Sequence, residues 1–251
     1  MISKSNKYIV QDDVLYTYDK KKIVSYCSQA KIFKIPEGVE VIGKDAFIGC
    51  ESENIVFPST LKIIEADAFN DCSDLSENLL FPDSLEEIHE NAFDWCSFKN
   101  GCVTLPSNIK KIDAKAFSFG WHINLVKVPH GRLDYFREIL PSWFSNQVID
   151  EDYIYESGLF YNIDKTELFA ATDVDFEGEI VIPSSVNKIR DGAFNGHYNI
   201  NSIRFQNPDV LLSSNAFENE YLKIERIIVP KGMKERFESV FPKMTDNIVE
   251  D

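Results

Sequence analysis

Hydrophobic and polar positions in this chain alternate in short runs, most of which stop at a proline. Ile55-Val-Phe57, Val103-Thr-Leu105, Ile180-Val-Ile182 and Ile203-Arg-Phe205 show the period of two expected of strands with one buried face. Past the proline the spacing changes to an aliphatic residue, an isoleucine and an Ala-Phe pair. The phrase runs Pro36, Val39, Ile42, Ala46, Phe47, and returns as Pro58, Leu61, Ile64, Ala68, Phe69. It recurs at Pro82, Leu85, Ile88, Ala92, Phe93, at Pro106, Ile109, Ile112, Ala116, Phe117, and at Pro183, Val186, Ile189, Ala193, Phe194. The Phe follows the Pro by eleven positions each time, and prolines 36, 58, 82, 106 and 129 are 22, 24, 24 and 23 residues apart. A fixed period of this length predicts a solenoid in which each coil buries its apolar edge against its neighbours. A second short strand is expected after each Pro, as in Leu85-Glu-Glu-Ile88. The Ala-Phe pair then turns the corner, Ala allowing close approach and Phe filling the interior.

The phrases fall into two unequal arrays that open and close alike. Tyr8-Ile9-Val10, Val14-Leu-Tyr16 and Asp19-Lys20 have counterparts 145 residues later at Tyr153-Ile154-Tyr155, Leu159-Phe-Tyr161 and Asp164-Lys165. Alternating aromatic and aliphatic residues around an Asp-Lys turn predict a β-hairpin at the head of each array. At the other end, Val128-Pro129-His-Gly131 and Val229-Pro230-Lys-Gly232 lead into segments that lose the Ala-Phe phrase. These segments space their apolar residues helically: Leu133, Phe136, Ile139 and Leu140 in one, Met233, Phe237, Val240 and Phe241 in the other. They are expected to be helical caps, because an open solenoid end exposes core and strand edges. The expected division is 1–146 and 147–251, with the junction near Ser145 to Asp152. The second array has one full coil and a degenerate one, where Ala216-Phe217 survives but Gln206 stands at the proline position. It is expected to fold poorly unless docked on the first array, whose cap offers Phe136, Ile139, Leu140, Trp143 and Phe144.

The phrase resembles the BspA-type leucine-rich repeat family, whose pattern is roughly I-x-I-P-x-x-V-x-x-I-x-x-x-A-F-x-x-C. Ile35-Pro36 to Cys50, Phe57-Pro58 to Cys72 and Phe81-Pro82 to Cys96 match it closely, and the likeness covers about residues 10–130 and 155–230. The resemblance implies an α/β solenoid, a right-handed leucine-rich-repeat superhelix with the strand before each Pro on its concave side. It also implies ligand or protein binding, often at microbial surfaces, rather than catalysis.

Composition narrows the partners. With 44% hydrophobic and 27% charged residues the chain has the makeup of a globular protein. Its 41 acids against 26 bases give −15, a field that repels nucleic-acid backbones and anionic membranes. No apolar run is long enough to span a bilayer. MISKSNKYIVQDD has no apolar export segment, so a cytoplasmic location is expected, or a secreted or surface one if a signal peptide has been removed. Cys50, Cys72 and Cys96 each stand three residues after a repeat Phe. They are read as small buried apolar residues, kept reduced, and not as a metal or redox ladder. Glu40, Lys62, Glu86 and Lys110 each lie four residues after a Pro and should form a charge ladder that specifies register.

Catalytic and cofactor-binding signatures are missing. His89, His122, His130 and His197 are scattered, and His89 stands where other coils carry Gly43, Glu65, Asp113 or Arg190. Asp173-Val-Asp175-Phe-Glu177-Gly178 opens like a calcium loop, but Ser184 stands where the closing Glu belongs, so it is read as an acidic turn. No enzyme activity, metal or cofactor is expected. The candidate binding stripe is the outward residue two before each Pro: Lys34, Val56, Leu80, Thr104 and Lys127, continued by Val181, Arg204 and Ile228. Val56 and Leu80 rimmed by lysines have the makeup of an interface. The expected function is a non-enzymatic module binding a protein or glycan on this face. The alternative is a structural scaffold or spacer with no discrete ligand site.

Overall fold

The structure, a computed structural model, describes residues 7–73, 75, 80–96, 98, 101–118, 123–140, 147–171, 178–194, 199–213, 215–217 and 222–251. Expectations for His122, Trp143, Phe144, Asp173 to Glu177 and His197 lie outside these residues. The chain divides into two compact units, Met1–Asp150 and Glu151–Asp251. The division falls four residues beyond the expected 146/147 boundary, and the reason is a strand. Val148–Ile149 pairs in parallel with Leu125–Lys127, which places it in the first unit.

In the first unit, the head of the chain is a three-stranded antiparallel meander, one strand more than the expected hairpin. Tyr8–Gln11 pairs with Val14–Thr17, which pairs with Lys22–Tyr26. The first turn is Asp12-Asp13, with φ of 50° and 59°, the mirror-image turn whose twist suits a hairpin. Lys22–Tyr26 then starts a parallel ladder with the short strands after each Pro: Val41–Ile42, Ile63–Ile64, Glu87–Ile88 and Lys111–Ile112. This register stacks Ile23, Ile42, Ile64, Ile88 and Ile112 in the core, none more than 5% exposed. Each such burial contributes about 1.5–3 kcal/mol relative to exposure. Gly43 sits where the meander meets the first coil. A Cβ there would stand 2.5 Å from the Ile23 carbonyl oxygen, which explains why this coil alone has no side chain at that position.

The Ala-Phe corners stack one on another. Phe47, Phe69 and Phe93 each donate a backbone N–H to the Ala carbonyl of the next coil, at 2.7, 2.8 and 2.9 Å. Their rings and that of Phe117 run parallel at centroid spacings of 4.8, 5.2 and 5.4 Å. Tyr26 heads the stack 4.6 Å from Phe47, and its hydroxyl meets Ser52 Oγ at 3.1 Å. The residue before the Ala has positive φ at Asp45, Asp67, Asn91 and Gly192, residue types that tolerate this conformation. Behind the corner, the Cys72 and Cys96 thiols donate to the carbonyls of Phe47 and Phe69 at 3.0 and 2.9 Å. On the surface, Glu40 takes Lys62 at 3.0 Å and Lys110 reaches Glu86 at 2.8 Å, while Lys21 of the meander extends the ladder to Glu40 at 2.7 Å. The hydrogen bonds from Lys21 and Lys62 hold the Glu40 carboxyl below its ordinary range.

The second unit repeats the plan with fewer coils. Tyr153–Glu156, Leu159–Asn162 and Glu167–Ala171 form the meander, and Lys188–Ile189 and Leu211–Leu212 continue it in parallel. The strands before the corner build a four-stranded parallel sheet of Glu179–Ile182, Asn199–Phe205, Lys223–Val229 and Ile248–Glu250.

Each unit ends in a seven-residue helix, α1 at Leu133–Ile139 and α2 at Lys234–Val240, followed by one more parallel strand. The helices bury Phe136 and Phe237. An acid at the end of the following strand or just past it holds the turn that enters each helix. Asp150 Oδ2 accepts the Gly131 N–H at 3.0 Å, and Glu250 Oε1 accepts those of Gly232 and Lys234 at 2.8 and 3.1 Å.

One polar pattern links coils and helices. The carbonyl three residues after the Pro accepts a side chain from the next coil: Thr60 on Val39 at 2.7 Å, Ser84 on Leu61 at 2.6 Å, Asn207 on Val186 at 2.8 Å. At the last coil of each unit an arginine donates instead, Arg132 to the Ile109 carbonyl, three after Pro106, and Arg236 to that of the buried Val210, four after Gln206, at 2.6 Å. A buried carbonyl left without a donor is costly, so these side chains supply what the next coil's backbone does not.

Candidate functional site

The strands before the prolines are only three or four residues long in most coils, so alternation leaves each with one or two outward side chains. Ile32–Lys34 pairs with Asn54–Val56, which sets Lys34 beside Val56 and Ile32 beside Asn54. Cys102–Thr104 pairs with Leu125–Lys127, which sets Thr104 beside Lys127. The inward residues of the same strands, Ile55, Val103 and Val126, are at most 2% exposed. Of the five stripe residues, Lys34, Val56, Leu80 and Thr104 are exposed and Lys127 is half-buried. Leu80 is 79% exposed and belongs to no strand. The structure thus brings together two pairs and leaves Leu80 between them in sequence. Ile32, 66% exposed, shares the outward face of Lys34 although it stands four residues before the Pro and outside the expected stripe. Its signal was the same period of two, one step earlier.

In the second unit Val181 is 39% exposed, and Arg204, half-buried, is tied down by Glu179 at 2.6 Å and by Asp251. The hydrogen bond from Arg204 holds the Glu179 carboxyl below its usual range. Ile228 corrects the expectation: it is 2% exposed. It lies in register between Arg204 and Val249, and Arg204 reaches across that strand to Asp251, so the arginine stem covers it. Beside Val181 is a hollow of about 460 Å³ lined by Tyr161, Lys165, Glu179 and Pro183 among others. Burial and the Glu156 charge push the Tyr161 hydroxyl up to about 12.

Titratable groups pair with one another within and between coils. His89 Nε2 meets Glu87 Oε2 at 3.0 Å on the strand after Pro82. Glu167 takes Lys188 at 2.7 Å and Arg190 at 3.1 Å, while Arg190 also holds Glu151 at 2.6 Å and lays its guanidinium 3.8 Å over Phe169. Burial alone would raise the Glu167 carboxyl, but the hydrogen bonds from Arg190 and Lys188 outweigh it and hold the group below its ordinary range. Among the described residues no group of three or more His, Cys, Asp or Glu could hold a metal ion, and no helix is long and apolar enough to cross a membrane.

Parallel coils of short strands, each turned by an Ala-Phe corner on a period of about 23 residues, define a leucine-rich-repeat solenoid. The chain belongs to the BspA-type leucine-rich repeat family: the profile described as BspA type Leucine rich repeat region matches six copies over residues 20–150 and 165–248. No curated protein matches the chain. Among solved structures it is similar to a leucine-rich repeat protein from Eubacterium ventriosum, with 18% identity, 89% of this chain and 66% of the other covered, and a TM-score of 0.39. It is also similar to one from Bacteroides ovatus, with 20% identity, 89% and 63% covered, and a TM-score of 0.37. The pneumococcal vaccine antigen PcpA shares 14% identity over 97% of this chain and 86% of its own, with a TM-score of 0.37. Membership rests on the profile and on the repeat phrase itself.

Proposed function

We propose that the chain is a non-enzymatic interaction module that binds a protein or glycan on the outward strand face before its prolines. In this reading the solenoid is right-handed with that face concave, as the family implies, and α1 and α2 cap the two arrays. The observation that supports it is that Ile32, Val56 and Leu80, all on or beside the segments before the prolines, are exposed apolar side chains on a strongly acidic chain. Lys34 lies beside Val56 in the strand register. Apolar residues at the centre and charges at the rim are how binding surfaces are composed.

The test is to screen the full chain against a glycan array and a protein panel, and then compare Leu80→Glu and Val56→Glu with the wild type on the best ligand. Both variants should keep the wild-type circular dichroism spectrum and weaken binding about tenfold, ~1.4 kcal/mol. Wild-type affinity in both variants, or no ligand in either screen, would support the spacer.

A further inference from the structure

We propose that Cys50 and Cys72 are an oxidation site, the pair that closes into a disulfide linking the first coil to the second. The residues occupy the same position in successive coils, three after Phe47 and Phe69. Two backbone bonds just ahead of the cysteines lock these corners in register: Phe47 N–H to Ala68 at 2.7 Å and Gly49 N–H to Asn70 at 2.8 Å. Stacked strands lie roughly 4.8 Å apart, within the roughly 4.4–6.8 Å between Cα atoms that a disulfide spans. The Cys50 thiol donates to Cys72 Sγ at 3.1 Å. Bond formation therefore needs the two sulfurs to close by only about 1 Å.

The environment orders the steps. Cys50 is 8% exposed, Cys72 0% and Cys96 2%, so a reagent enters at Cys50. A hydrogen bond with Cys50 lowers Cys72, but the bond to Cys96, burial and the Cys96 charge together push its thiol well above the usual range, so Cys72 is not the first to attack. The reaction is thiol–disulfide exchange with a small organic disulfide. The Cys50 thiolate attacks one sulfur, a mixed disulfide forms and one thiol leaves. Cys72 then loses its proton, attacks Cys50 Sγ and expels the second thiol. One disulfide is reduced to two thiols as two protein thiols become one disulfide.

Incubating the full chain with oxidised glutathione and mapping it without reduction tests this. No Lys or Arg lies between Cys72 and Cys96, so trypsin must be combined with a glutamate-specific protease to separate them. The expected product is a Cys50–Cys72 linked peptide pair, lighter by two hydrogens, with a melting temperature several degrees higher that falls back on reduction. Cys96→Ser should still form the link, and Cys50→Ser and Cys72→Ser should not. A link between Cys72 and Cys96 would overturn the assignment. So would wild-type protein carrying glutathione only on the exposed Cys27 or on Cys102, with Cys50 and Cys72 alkylated as thiols after unfolding. The wild-type map decides the matter even if a serine variant fails to fold.

Discussion

The two units carry one plan but close their cores differently. In the first, an aromatic stack runs without a break from Tyr26 through Phe47, Phe69 and Phe93 to Phe117. In the second, Ala171 stands where Tyr26 does, since each donates its N–H at 2.7 Å to the Ala of the first coil. The stack there is Phe194 on Phe217 at 4.5 Å, and Phe241 at the end of α2 closes it edge-on. Among the described residues the ring stack of the second unit is shorter, and charge accompanies it: Arg190, at the position of Gly43 or Glu65, grips Glu167 and Glu151 over Phe169. A repeat array draws its stability from coil terms and neighbour interfaces, so the unit with fewer interfaces should be the weaker and the more sensitive to pH.

The largest expected effect comes from separating the units. Fragment 1–150 should unfold cooperatively by itself, while 151–251, with fewer than about three full coils, should fold poorly. Denaturant melts of both fragments against the full chain measure this. A sharp, stable transition in 151–251 would show that the helix and the ion pairs make up for missing coils.

Next is the stack itself. Phe93 packs against Phe69, Phe81, Phe98 and Phe117 and is 0% exposed. Phe93→Ala should cost about 3–5 kcal/mol, read as a fall in the denaturant midpoint of fragment 1–150. An unchanged midpoint would mean that the stack is not what holds the coils together.

The arginines that serve the last coils come third. Arg132→Ala leaves the Ile109 carbonyl without its donor and removes a guanidinium stacked 4.8 and 4.9 Å from the Tyr135 and Phe136 rings. A loss of about 1–3 kcal/mol is expected, and Arg132→Lys should restore only part of it because one ammonium cannot reproduce the planar contact. Full rescue by lysine in a thermal melt would reduce the role of Arg132 to charge alone.

The smallest effect is electrostatic and separates the units by pH. The folded pKa of Glu167 lies below its ordinary 4.5, so its stabilisation is fully present above that pH. It is lost as pH falls through the depressed folded value. Glu167→Gln should cost on the order of 1 kcal/mol at neutral pH and flatten the fall in melting temperature below pH 4.5. Parallel curves for variant and wild type would show that the Arg190 cluster does not govern the acid response.

The repeat phrase made the coils legible because every coil meets the same constraint. One inward residue on each strand, one Ala for close approach and one Phe for the interior must recur at a fixed spacing or the core does not close. For the same reason Lys34, Val56 and Thr104, which the structure leaves exposed on strands, could be placed outward from alternation alone. Ile228 could not, since its burial depends on Arg204, 24 residues earlier, reaching over it to the last residue of the chain. The serine, threonine, asparagine and arginine donors to the coil carbonyls were equally hidden. Their residue types differ from coil to coil, and only the stacked geometry shows that they do one job. The meander in place of a hairpin and the boundary at Asp150 belong to the same class. Periodicity reports which face of a segment is apolar, because burial acts residue by residue. Which neighbouring segment covers that face, takes its last carbonyls or brings two thiols to 3.1 Å is a matter of pairing between residues distant in the chain, and only the folded packing decides it.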